Sequence, residues 1–165
     1  ILKREIKKNI IFSLMEANLS FHFHYTFENT TLKDFISVYL LKKKKDPGLL
    51  KETQKDNNRI EFLISKKIPY YLRLFLHISK IEYLESLHIL EDKAEVNVWQ
   101  SLGDITSRVN MNITENKLTN EIVLVVIFNV NNTQSMFQST IKSYIKNEFD
   151  KEMKDISKMI SSNSS

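Results

Sequence analysis

The stretch SMFQSTIKSYIKNEFDKEMKDISKMI, residues 135–160, places Phe137, Ile141, Tyr144, Ile145, Phe149, Met153, Ile156 and Ile160 along one stripe at helical spacing. At 1.5 Å per residue such a helix is roughly 39 Å long, well beyond the average for globular proteins. One apolar stripe of that length needs a single extended surface to lie on. The residues before it supply one. NEIVLVVIFNV (120–130), ITSRVNMNIT (105–114), AEVNVWQSL (94–102) and IEYLESLHIL (81–90) read as consecutive strands, and the short polar breaks between them suit antiparallel hairpins. In the second of these Ile105, Val109, Met111 and Ile113 share one face while Arg108, Asn110 and Asn112 share the other. The strand at 120–130 is apolar on both faces from Ile122 to Phe128, so both faces need cover.

Further towards the N-terminus, SFHFHYTF (20–27) alternates strictly, with Phe21, Phe23, Tyr25 and Phe27 on one side and His22, His24 and Thr26 on the other. This predicts a half-buried first strand. NTTLKDFISVYLLKK (29–43) then changes period, with Leu32, Phe35, Ile36, Tyr39 and Leu40 on a helical stripe and Thr30 or Thr31 as N-cap. Lysines 42–45 place positive charge at the helix C-terminus, before the turn Asp46-Pro47-Gly48. Asn57 and Asn58 make another turn before a strand with Ile60, Phe62 and Ile64 on one face. Lys66 and Lys67 lead into IPYYLRLFLHI (68–78), where Pro69 suits a first helical position and Leu72, Phe75 and Leu76 share a face. Residues 1–17 form an amphipathic extension with Leu2, Ile6, Ile10 and Leu14 four apart and basic residues between them. Its apolar run is too short for a bilayer, which takes about 20 residues. Residues 18–160 then form one domain, and 161–165, SSNSS, a disordered tail.

Composition narrows the chemistry. The 165 residues include two glycines, two prolines and no cysteine. That excludes a thiol nucleophile, a CxxC pair, a disulfide framework and any glycine-rich phosphate loop. A formal charge of +4 is compatible with an anionic partner such as a phospholipid surface. Nucleic acid is not expected, because neither a dense basic helix nor an aromatic platform motif is present. His22 and His24 share a strand face, and Glu82 or Glu95 could complete a metal site, but no second histidine pair supplies the usual ligand spacing. Neither a metal nor a cofactor is expected. A GxSxG nucleophile elbow is also absent.

The order of one strand, a helical insertion, a run of antiparallel strands and a long C-terminal helix resembles the START-like, helix-grip superfamily over residues 20–160. The layout looks most like the PRELI-like and VASt-type lipid-transfer domains. The matching features are FHFHYTF, the helical segment opened by Ile68 and Pro69, and WQSLGDITSRVNMNI between two strands. Many relatives have glycine just before the long helix, whereas this chain has NVNNTQS (129–135), where asparagine still tolerates a sharp turn.

The resemblance implies an α+β fold in which a curved antiparallel sheet wraps the long C-terminal helix, with short helices after the first and second strands. It further implies a non-enzymatic, intracellular, membrane-peripheral domain that binds, transfers or senses a hydrophobic ligand, a lipid, in a helix–sheet cavity. The walls would be Phe75, Trp99, Met111, Leu124, Val126, Phe128, Phe137, Ile141, Tyr144 and Ile145. A lid meeting an anionic membrane would comprise Lys66, Lys67, Ile68, Pro69, Tyr70 and Tyr71, with lysines 42–45 as a second contact. Two rivals stand beside it: a protein-binding module with a filled core, and a cyclase or hydrolase, for which Glu85, His88 and Asp104 are available.

Overall fold

The alternation that makes the first strand also selects the inner face of a sheet. A computed structural model describes residues 17–102, 105–133 and 138–163. In chain order it contains β1 (Ala17–Glu28), α1 (Leu32–Lys44), β2 (Leu49–Asp56), β3 (Arg59–Lys67), α2 (Tyr70–Leu76), β4 (Lys80–Ile89), β5 (Lys93–Leu102), β6 (Ile105–Asn116), β7 (Glu121–Thr133) and α3 (Gln138–Asn163). The seven strands form one antiparallel sheet in the order β1-β7-β6-β5-β4-β3-β2. This curved sheet and the long α3 make a helix-grip, START-like α+β fold, as the sequence implies.

Register carries the pattern from strand to strand. Phe21 pairs with Phe128, Phe128 with Val109 and Val109 with Val98, so one apolar row crosses β1, β7, β6 and β5. Its outer counterpart is polar on β1 and β6: His22, His24 and Thr26 are exposed, and so is Arg108. On the inner face Phe62, Ile64, Leu87, Ile113, Ile122 and Ile156 of α3 are almost fully buried. Each contributes about 1.5–3 kcal/mol relative to an exposed side chain. Aromatic pairs fix α3 and α1 to the first strand: Phe23 lies 6.0 Å from Phe149, and Phe27 meets Phe35 edge-on at 5.0 Å. Tyr25 adds a hydrogen bond of 2.8 Å to Asp150, which Lys146 also holds from the preceding helical turn.

Turns are made largely without glycine. Asn29 and Asn120 adopt φ of 50° and 54°, a region asparagine tolerates better than most residues, and His77 closes α2 at φ 53°. Thr31 caps α1 by accepting a hydrogen bond from the Asp34 N–H at 3.2 Å.

Two details depart from the sequence reading. β2 is an extra strand, so the second helix follows the third strand rather than the second. Six of the eight residues of β2 are exposed, so an edge strand of this kind has no apolar alternation to reveal it. The long helix continues to Asn163, past Ile160, with the Ser161 and Ser162 hydroxyls bonded to the Ser157 and Met159 carbonyls. The extension expected over residues 1–17 lies outside the described residues apart from Ala17, which is the first residue of β1.

Gly48 is required by close approach. A Cβ there would lie 2.1 Å from the Ser65 carbonyl oxygen, whose own N–H donates to the Gly48 carbonyl at 2.8 Å. Gly48→Ala should therefore destabilise the domain by about 1–3 kcal/mol in urea denaturation, the usual cost of overpacking. An unchanged midpoint would mean that β2 is not held at this distance from β3.

Candidate functional site

The inner face of β4 reads Tyr83, Glu85, Leu87, and that parity drives a carboxylate into the concave side of the sheet. α1 does the same with a cation. Lys43 falls one turn after Tyr39 and two after Phe35, so it continues the buried stripe of the helix and its side chain is only 5% exposed. Glu152 arrives from α3.

These groups meet. Lys43 Nζ lies 3.0 Å from Glu85 Oε2 and 3.1 Å from Glu152 Oε1, and 5.0 Å from the centroid of the Tyr39 ring. The Tyr39 hydroxyl donates to Glu85 Oε1, so both oxygens of that buried carboxylate are engaged. Burial works against the Lys43 ammonium, yet Glu85, Tyr39 and Glu152 outweigh it and hold its pKa well above the usual lysine range. Burial likewise opposes the Glu152 charge, but Lys43 and Lys66 keep its carboxyl below the ordinary glutamate range. Burial, reinforced by Glu85, pushes the Tyr39 hydroxyl far up, so it stays a neutral donor. The network is thus a charged lysine between two carboxylates, fastened by a phenol.

Beside it the sheet and α3 leave a cavity of about 130 Å³. Val98, Val109, Met111, Phe128, Ile145 and Phe149 supply apolar walls, while Lys43, Glu85 and Glu152 form one polar end. Lys66, Tyr83, Tyr144 and Glu148 complete the lining. Lys66 Nζ lies 6.0 Å from the Tyr83 ring centroid, and Tyr71 of α2 meets Tyr144 edge-on at 6.4 Å. Partial burial, with Glu148 and Tyr71 adding to it, pushes the Tyr144 hydroxyl up to about 12.

Of the wall residues named from the sequence, Met111, Phe128, Tyr144 and Ile145 line this cavity. Leu124 and Val126 are buried further along β7, and Ile141 packs against the same core. Trp99 is elsewhere: with Val96 and Val98 turned inward, alternation sends it to the outer face, 58% exposed, with the Arg108 guanidinium 4.3 Å from its ring centroid. Phe137 and the side chain of Phe75 lie outside the described residues. In the lid segment Lys66 lines the cavity, Ile68 is buried and Pro69 sits at the N-cap of α2, while Lys67, Tyr70 and Tyr71 are exposed. Lysines 42–45 are not one surface patch, since Lys42 pairs with Asp155, Lys44 with Glu52, and Lys43 is in the core. His22 and His24 stand on β1, separated from β5 and its Glu95 by β7 and β6, and no cluster able to hold a metal occurs among the described residues.

No family model matches this sequence, and no curated protein matches it. Among solved structures it is similar to a conserved protein from Geobacillus kaustophilus, with TM-score 0.61 and 11% identity over 87% of this chain and 96% of that one. It is also similar to norcoclaurine synthase from Thalictrum flavum, with TM-score 0.52 and 14% identity over 94% of each chain. A third is the di-domain ARO/CYC StfQ of the steffimycin biosynthetic pathway, with TM-score 0.56 and 10% identity over 96% of this chain and 54% of that one. At these identities the likeness is one of fold. It overturns the expectation of a non-enzymatic protein: the fold is shared with a synthase and a cyclase, and enzyme status is open. Of the residues held ready for an enzyme, Glu85 lies in the buried network, His88 is on the outer side of β4, and Asp104 is outside the described residues.

The network makes a sharp demand on stability. Lys43→Met leaves two carboxylates facing each other in the core, and removing one partner of a buried ion pair costs about 3–5 kcal/mol. Restoring an all-apolar set in Lys43→Met/Glu85→Leu/Glu152→Leu should recover most of that loss in urea denaturation at pH 7. The Glu152 contribution is present above its unfolded-state pKa, about 4.3, and is lost as pH falls through its depressed folded value. Wild-type stability should therefore drop below about pH 4.5, and a Glu152→Gln variant should drop less.

Proposed function

We propose that the protein binds a small hydrophobic ligand in the space between α3 and the concave sheet. The observation that carries this reading is the cavity of about 130 Å³ walled mainly by Val98, Val109, Met111, Phe128, Ile145 and Phe149. The space is half-open to solvent, and its apolar walls face water until something covers them. About 150 Å³ of apolar space is enough to hold a benzene ring. At about 130 Å³ the space is somewhat smaller than that and well below the roughly 300 Å³ at which ordinary ligand sites start, so anything larger than a small apolar group enters only if the space widens.

One observation favours a finer reading, lipid binding and transfer at an anionic membrane in the manner of PRELI-like or VASt-type domains. Tyr70, Tyr71 and Leu74 of α2 are 73%, 49% and 57% exposed, close in sequence to the exposed Lys67, and Tyr71 meets Tyr144 of the cavity lining. Aromatic side chains partition into a membrane interface, and each lysine near an anionic surface adds about 1 kcal/mol. On this reading α2 lifts away from Tyr144 at the bilayer and opens the cavity to an acyl chain.

Two measurements separate the parts. Met111→Trp fills the cavity, and should abolish binding of an apolar fluorescent probe while leaving the circular dichroism spectrum intact; undiminished probe binding would remove the cavity reading. Lys67→Glu combined with Tyr70→Ser should weaken co-sedimentation with anionic vesicles and its salt sensitivity, without changing probe binding in solution. An unchanged vesicle response would remove the membrane reading alone.

A further inference from the structure

Trp99 and Leu84 are register partners on the outer side of β5 and β4, 58% and 43% exposed, and Leu63 of β3 stands next to Leu84 in the same row. A contiguous apolar strip on a solvent-facing side marks a place where something docks. It is also the reverse of the cavity wall, since Leu84 lies between Tyr83 and Glu85 and Trp99 follows Val98. The described contacts of the helices run to the inner side: Phe35 of α1 to Phe27, Phe149 of α3 to Phe23 and Tyr71 of α2 to Tyr144. The strip therefore has no cover among the described residues.

The same row runs on to the start of the sheet. Trp99 pairs with Arg108, Arg108 with Asn129 and Asn129 with Ser20 of β1, just after Ala17. Strands are about 4.8 Å apart, which puts Trp99 roughly 14 Å and Leu84 roughly 19 Å across the sheet from Ser20. Residues 1–16 lie outside the described residues, run directly into β1 and carry the stripe Leu2, Ile6, Ile10 and Leu14. As a helix they would span about 24 Å, with a stripe residue about every 6 Å, so both length and spacing suit the row. A helix that short is marginal on its own and takes its stability from an apolar surface to pack on. Joined to β1 without a linker, it meets this strip at an effective concentration that a separate molecule does not reach.

We infer that residues 1–16 form a helix docked across the outer side of the sheet, from Ala17 over Asn129 and Arg108 to Trp99 and Leu84. Its apolar stripe faces the sheet, and Lys8, on the opposite side of the helix, faces water. Ile6 and Leu2, about 17 and 23 Å along such a helix from Ala17, come to the exposed pair. The occupant of the strip is thus the chain's own N-terminal segment, which shields the outer side of the cavity wall.

Trp99 is the one tryptophan of the chain, so its fluorescence reads the strip alone. In the full chain at pH 7 its emission should be blue-shifted from that of indole in water and weakly quenched by acrylamide. Leu2→Asp combined with Ile6→Asp should shift the emission to longer wavelength and raise the quenching, while Lys8→Asp should change neither. A cooperative urea transition kept in the double variant separates undocking from unfolding. A second readout needs no disruptive change: a nitroxide on Lys8→Cys, the one thiol in a chain that otherwise has none, should broaden the Trp99 indole N–H resonance. Equal quenching in the wild type and the double variant, or an indole resonance that the nitroxide leaves sharp, would overturn the inference. So would protection of Trp99 that grows with protein concentration, which assigns the strip to a second copy, or that arises only with anionic vesicles, which assigns it to a membrane.

Discussion

An ammonium group with 5% of its side chain exposed keeps its charge only where the surroundings replace the water it has lost. For Lys43 that replacement comes from two other parts of the chain, Glu85 on β4 and Glu152 on α3, while Tyr39 of its own helix binds the first carboxylate. The requirement is geometric as well as electrostatic. Three elements far apart in sequence must bring their groups within about 3 Å of one point, which positions α1 and α3 relative to the middle of the sheet. It also bears on the space next to it. Apolar side chains cannot close over the polar end without removing still more water from ionised groups, and this opposes collapse of the adjacent cavity.

The remainder of the architecture serves that arrangement. The aromatic contacts of Phe23 and Tyr25 with α3 hold the helix at the β1 side of the sheet, and the ion network holds it towards β4. Between those two fastenings lies the cavity. The α2 segment touches this lining through the edge-on contact of Tyr71 and Tyr144, and Lys66 of β3 belongs to the lining itself. A fold shared with a synthase and a cyclase can use such a space for chemistry or for binding alone; here the two buried carboxylates, the ammonium and the phenol are tied to one another.

Much of the fold is legible in the sequence because its periodicities are unbroken. The alternation of residues 20–27, the successive strands from 81 to 130 and the long stripe ending at Ile160 each report burial on one face, and all three reappear as β1, the β4–β7 run and α3. β2 is invisible for the opposite reason: an edge strand in which only Leu49 and Thr53 are even half-buried has no apolar alternation to report. The site is harder to read. Lys43 sits within four consecutive lysines, where charge at a helix end explains it fully, although its spacing from Phe35 and Tyr39 is that of a core position. Glu85 lies between two inward apolar positions of β4, Tyr83 and Leu87, and parity alone would have turned it inward. What no periodicity contains is that residues 43, 85 and 152 converge, since that depends on the crossing of α1 and α3 over a particular strand. Trp99 shows the converse, a large apolar residue that parity sends outward and a cation covers.

An open apolar space persists beside a buried, charged lysine. Diffraction from crystals held under xenon tests it most directly, because xenon enters dry apolar cavities and reports its position without a chosen ligand. A xenon peak is expected among Val109, Met111, Phe128 and Ile145, with the Lys43 ammonium within ion-pair distance of both Glu85 and Glu152. A core closed by these side chains with no xenon between them, or a Lys43 turned to solvent, would contradict it.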